Sequence, residues 1–218
     1  MSREQLPPPL PPETRTVGQL VAETLKLYGR NVRLALLIGL APATLDLVAT
    51  GLTRREALFF VPLVGGPVLT AAFILASIAA LGVRPGRGAF VTAFAAGVLV
   101  FLPFPFLASV FILPGLVWFA FIGLAVPAAV AEGNGLGVSL RRGIELGRAD
   151  FVHALGSLAA LAIIVFLTRA MLFILLQDFG ESTARAASFL ADLVVSPLLL
   201  LGAALLYVDQ AARYRVKT

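Results

Sequence analysis

Cysteine is absent from this sequence, which excludes disulfides, thiolate metal sites and a cysteine nucleophile. A single histidine, His153, leaves no set of imidazoles to hold a metal, and no cofactor is expected. The zinc-protease HExxH, the phosphate-cradling GxxxxGK(S/T) and the nucleophile-elbow GxSxG are all missing. Charge is scarce as well. Asp, Glu, Lys and Arg make up 13% of 218 residues, against roughly 25% in an average soluble domain. Apolar residues reach 59% and the mean hydropathy is +0.96, which excludes a soluble globular domain. Disorder is excluded too, outside the N-terminus, because disordered chains are charged and poor in apolar residues.

What is present is a series of long apolar runs. A membrane-crossing helix needs about 20 such residues. Six spans are expected, at about residues 32–52, 58–83, 89–113, 115–131, 151–176 and 187–208. They form one membrane domain over residues 16–210, an all-α polytopic bundle. The uncharged run from Gly88 to Ala131 is twice the length of one span, so it must fold back. The fold-back is placed at Leu113-Pro114-Gly115, with Pro103 and Pro105 kinking the span before it. Gly65-Gly66-Pro67 is expected to kink the second span. Thr53 to Glu56 reads as a polar turn between spans one and two.

Two segments are too charged to cross. In residues 17–30, Val17, Leu20, Val21, Thr24, Leu25 and Tyr28 recur at helical spacing, with Glu23 and Lys26 among the polar positions. In residues 136–147, Leu136, Leu140 and Ile144 alternate with Arg141, Arg142 and Glu145. Both read as amphipathic helices lying in the interface. A shift of 119 residues places Leu25 on Ile144, Leu27 on Leu146, Asn31 on Asp150 and Val32 on Phe151, which suggests an internal duplication. Residues 1–15 hold five prolines between Pro7 and Pro12 and read as a disordered tail. No apolar run follows the first charge, so no cleaved signal peptide is expected. Residues 211–218 read as a basic tail.

With six spans, thirteen basic residues fall on the side of both tails and four on the other. The positive-inside rule then places both termini in the cytoplasm and the protein in the plasma membrane. The net charge of +5 is read as this topology signal, and no nucleic-acid partner is expected.

Leu113-Pro114-Gly115, Ala125-Val126-Pro127, Glu132, Ser139-Leu140-Arg141-Arg142 and Glu145-Leu146 together resemble the glycerophosphoryl diester phosphodiesterase membrane-domain family and its multi-pass bacterial relatives. The segment Leu25 to Asn31 is similar to that family's first interfacial helix, and Tyr207, Asp209 and Arg213 to its closing motif. Gly143 departs from the pattern, where serine is usual. The resemblance implies a membrane module. In some members this module precedes a soluble phosphodiesterase domain. Here the sequence runs about ten residues past the sixth span, so the hydrolase activity is not carried over.

Charge inside a span costs roughly 2.5–3.5 kcal/mol on insertion scales and marks a site by default. Asp46, Arg169 and Asp192 are such residues, all in the half of the bundle away from the tails. Arg169 is expected to pair with Asp192, with Asp46 nearby, as a packing ion pair or as a polar site for an ion, a proton or an anionic headgroup. A second cluster gathers at the cytoplasmic rim: Glu132, Arg141, Arg142, Glu145, Tyr207, Asp209 and Arg213. Glu132 and Asp209 are expected to clamp the second amphipathic helix through its arginines, or the cluster to hold anionic lipid headgroups. His153 reads as a hydrogen-bonded packing residue. The leading functional expectation is a non-catalytic membrane module that binds lipid or a partner protein. A small transporter or channel ranks second, and an intramembrane lipid enzyme third.

Overall fold

The computed structural model describes residues 11–110, 112–176 and 180–217. Most of the proline-rich tail, at residues 1–10, lies outside the described residues. The rest is helical, with no strand among the described residues: α1 (Val17–Arg30), α2 (Val32–Ala49), α3 (Arg54–Phe60), α4 (Gly66–Leu81), α5 (Arg87–Phe101), α6 (Phe104–Val110), α7 (Ile112–Ile122), α8 (Ala125–Glu132), α9 (Leu136–Ala149), α10 (Phe151–Leu176) and α11 (Glu181–Lys217). Six stretches are long and apolar enough to cross a membrane: α2, α3 to α4, α5 into α6, α7 to α8, α10 and α11. The chain is an all-α bundle of the multi-pass membrane type, with α1 and α9 as amphipathic helices at one end.

Local chemistry explains the boundaries. Thr16 caps α1 reciprocally with Gln19, its own N–H donating to Gln19 Oε1 at 2.8 Å. Thr53 and Glu56 form the same box on α3. The expected polar turn at Thr53 to Glu56 is therefore a helix start. Span two begins at Arg54 instead of near residue 58 and passes through a π-helical segment, Val61–Gly65. That wider turn admits Pro62 and Pro67 without breaking the span. Gly82 and Gly133, at φ +65 and +66, close α4 and α8 in the left-handed conformation that glycine adopts without strain.

Two further expectations are corrected. Pro114 and Gly115 do not form the fold-back, because α7 already begins at Ile112. They sit in its first turn, where proline loses no hydrogen bond. Phe111 lies outside the described residues. The sixth helix does not stop near residue 208, and residues 211–217 are its last turns rather than a tail. At about 1.5 Å per residue α11 is roughly 55 Å long, against a hydrocarbon core of about 30 Å. Its final turns therefore stand at the end where α1 and α9 lie.

α11 is the hub, packing against α1, α2, α4, α9 and α10. Its tightest crossing is with α2. A Cβ on Gly39 would lie 2.0 Å from the Leu193 carbonyl oxygen, so the backbones touch there. That carbonyl has no helical N–H partner because residue 197 is proline. Elsewhere Ser139, Gly143 and Gly147 run down one face of α9, and Gly143 and Gly147 rest on the α7–α8 break at Ala120, Phe121 and Ala125. Small residues let membrane helices approach this closely. Phe73, Phe101 and Phe119, with ring centroids 5.5–6.1 Å apart, fill the middle of the bundle.

The 119-residue shift has a structural counterpart. α1 and α9 are both 14 residues long, a single non-helical residue follows each (Asn31, Asp150), and a span starts immediately after. Buried Leu20 and Thr24 correspond to buried Ser139 and Gly143, so both helices turn the same register inward.

Candidate functional site

At the end carrying α1 and α9, the expected seven-residue cluster is divided in two. Glu132, at the end of α8, accepts from Arg142 Nε at 3.2 Å and from the Tyr207 hydroxyl at 2.9 Å. The Arg142 guanidinium also lies 4.7 Å over the Tyr214 ring, so α8, α9 and α11 are tied together. Arg141 stands apart. Its side chain is 83% exposed and bonds Glu145 at 2.9 Å, a surface pair worth little. In α1, the Lys26 ammonium bonded to Glu23 holds that carboxyl below its ordinary value.

Asp209 does not meet the arginines of α9. It is fully buried on α11 and accepts from Arg15 at 2.6 Å, with His153 Nε2 3.6 Å from its other oxygen. Arg213 bonds Asp150 at 2.7 Å and the Arg15 carbonyl at 2.6 Å. Gln210 exchanges two hydrogen bonds with the Asp150 backbone, at 2.9 and 3.1 Å. Arg15, Asp150 and Gln210 were not among the expected site residues. Arg15 falls within the expected disordered tail of residues 1–15, yet the structure pins it, with a short turn over Pro12–Thr14 before it. The sequence offers a local signal for two of them. Arg15 stands immediately before a Thr-x-x-Gln capping box. Asp150 is the lone polar residue between an amphipathic helix and a span, and there its carboxylate caps α10 by accepting from the His153 N–H at 3.1 Å.

Arg15→Ala is expected to cost about 2 kcal/mol, because it strips the charged hydrogen bond from a buried carboxylate. Thermal unfolding in detergent measures the cost, and faster proteolysis near residue 15 reports release of the chain. An unchanged melting temperature together with unchanged cleavage would refute the assignment.

At the opposite end the structure brings the three intramembrane charges together. Arg169 of α10 reaches Asp46 of α2 with Nη2 and Asp192 of α11 with Nη1, both at 3.1 Å. The two acids differ in setting. Asp46 is 34% exposed and Asp192 only 2%. The Ser196 hydroxyl donates to Asp192 Oδ1 at 3.4 Å, while Oδ2 is buried without a hydrogen-bond partner among the described residues. A cavity of about 430 Å³ opens beside this triad, lined by Asp46, Thr50, Arg169, Arg185 and Ser188 with Phe173 and Phe189. No group of acids and histidines suited to a metal occurs among the described residues.

Fold and charges define a polytopic helical membrane protein with one ionic lock near each end. No family model matches the chain, and neither a curated protein nor a solved structure matches it. The likeness to the phosphodiesterase membrane-domain family therefore rests on the short motifs alone.

Proposed function

We propose that this chain is a non-catalytic multi-pass protein of the bacterial plasma membrane that binds anionic lipid headgroups on its cytoplasmic face. In this reading α1, α9 and the end of α11 lie on that face. The observation that carries it is the division of labour among the basic residues there. Arg15, Arg142 and Arg213 are held by acids and tie helices together. Arg30, Arg33, Arg84, Arg87 and Arg148 are exposed and stand within ion-pair distance of no acid among the described residues. They make a basic rim at interface depth, where each Lys or Arg gains about 1 kcal/mol from anionic lipid. The headgroup role expected of Arg142 and Arg213 thus passes to these neighbours. The membrane-domain family resemblance supports the same kind of module. A transporter draws support from the intramembrane triad, but the cavity next to Arg169 is walled mainly by phenylalanine and leucine, which favours an apolar occupant over a hydrated ion.

Native mass spectrometry of protein extracted gently from its own membrane tests the reading. Wild-type protein is expected to retain anionic phospholipid. Changing Arg84, Arg87 and Arg148 together to glutamine is expected to weaken retention roughly a hundredfold, from three contacts of about 1 kcal/mol. Wild-type protein that carries no anionic lipid, yet co-purifies as a discrete complex with another protein, would replace the lipid reading with the partner-binding one.

A further inference from the structure

Charge inside a span is tolerated where it faces the bundle interior or a water-filled cavity. The triad divides between the two settings. The Asp192 side chain is 2% exposed and faces the interior, whereas Asp46 and Arg169 are 34% and 39% exposed. Those two line the cavity of about 430 Å³, so its contents decide what an intramembrane ion pair meets.

The lining rises in polar steps from the triad toward the end opposite α1 and α9. On α2, Thr50 stands one turn above Asp46, its N–H donating to the Asp46 carbonyl at 3.0 Å. On α11, Ser188 stands one turn above Asp192, and Arg185 nearly a turn beyond that. Exposure grows along the same path: Asp46 and Ser188 are half-buried, Thr50 and Arg185 exposed. The helices differ in height. α2 ends at Ala49, within a turn of Asp46. α10 continues past Arg169 to Leu176 and α11 begins at Glu181, well before Asp192, so they overtop the triad by about 10 and 16 Å. The cavity is a recess beside two tall helices, above a short one, with Phe173 and Phe189 in its walls.

The polar groups of the lining carry both signs, and Arg169 is already paired with both acids. A charged ligand of either sign is therefore not selected. Hydroxyls and paired charges are what ordered water bridges, and the volume holds on the order of ten waters at about 30 Å³ each. In the other direction polarity stops. The neighbouring cavity of about 320 Å³ is lined chiefly by apolar side chains such as Phe101, Phe119 and Val165, and shares only Arg169 with the polar one. Apolar cavities stay dry.

We propose that the cavity beside the triad is an aqueous vestibule. It opens at the end opposite α1 and α9, brings water and small hydrophilic solutes to Asp46 and the near edge of Arg169, and stops there, with Asp192 dry behind it. The ion pair thus touches one aqueous phase only. This does not rest on the lipid reading of the basic rim.

The chain has no cysteine, so single thiols can be introduced without background. Ser188→Cys and Asp46→Cys place a thiol on the wall and at the floor of the vestibule. Phe166→Cys, on a side chain 64% exposed in the middle of α10, is the lipid-facing control. Arg141→Cys, on a side chain 83% exposed on α9, marks the opposite face of the membrane. A membrane-impermeant cationic methanethiosulfonate is added to intact cells and to inverted membrane vesicles, and each thiol is counted afterwards in denaturant. A thiol reacts as its thiolate, which apolar surroundings disfavour, so both vestibule positions are expected to react at least about tenfold faster than Phe166→Cys. They should do so only from the face that Arg141→Cys does not report. Rates equal to that of Phe166→Cys at both positions, or reaction from the Arg141→Cys face, would overturn the proposal. Labelling that appears only after detergent has stripped the membrane away would overturn it as well, and make lipid the occupant.

Discussion

Arg169→Leu is expected to lower stability by about 2–3 kcal/mol, less than for a wholly buried ion pair because the Arg169 side chain is itself 39% exposed. The loss is asymmetric. Asp46 is about one-third exposed and can be solvated at the rim of its cavity. Asp192 is 2% exposed and would keep only the Ser196 hydroxyl at 3.4 Å. The penalty therefore falls on Asp192, and two companion variants check that. Asp46→Asn should cost no more than about 1 kcal/mol, as for an exposed pair. Arg169→Leu combined with Asp192→Leu should recover most of the loss, since apolar residues in place of a whole buried pair are often neutral or stabilising. Chemical unfolding in detergent gives the values. If Arg169→Leu lies within 1 kcal/mol of wild type, the triad faces water and this account fails.

Gly39→Ala is expected to be nearly as damaging, although it adds one methyl group. The new Cβ would lie 2.0 Å from the Leu193 carbonyl oxygen, 2.8 Å from its carbon and 3.0 Å from the Pro197 ring. None of these is the end of a flexible side chain, so α2 and α11 must separate. Overpacking typically costs about 1–3 kcal/mol and occasionally more; a clash on backbone belongs at the upper end. Gly29→Ala is the control. Nothing lies within 4 Å of its would-be Cβ in α1, and alanine should stabilise that helix by roughly 0.5–1 kcal/mol. Equal effects of the two substitutions on thermal unfolding would show that helix propensity, not contact, sets the Gly39 result.

The two amphipathic helices were legible because their pattern is periodic and local. α1 occupies the expected residues 17–30, and α9 runs two residues past the expected 136–147. The spans were legible from composition, and the 119-residue shift from a handful of paired positions that two equal helices and two one-residue corners now share. Asp46, Arg169 and Asp192 stood out because charge is rare in such runs, and three charges at similar depth have few partners to choose from. What escaped was non-local or ambiguous. Arg15 meets an acid 194 positions away, and nothing near Arg15 announces that. Pro114-Gly115 has the composition of a turn, yet the same pair is compatible with a helix's first turn. The final turns of α11 look like a basic tail until Arg213, Tyr214 and Lys217 find Asp150, Arg142 and the Ala149 carbonyl.

The position of α11 in the chain has a consequence for biogenesis. It is the sixth span to leave the ribosome, yet α1, α2, α4, α9 and α10 all pack on it. Between the emergence of Ala49 and that of Lys217 lie on the order of ten to thirty seconds of translation, at about 5–20 residues per second. For most of that time the backbone groove at Gly39 and the carboxylate of Asp46 await partners that do not yet exist. The nascent protein is therefore a client for whatever shields half-made bundles in the membrane. A ribosome that stalls before residue 181 leaves five inserted helices without their keystone, a product that quality-control proteases should find easy to distinguish from the finished bundle.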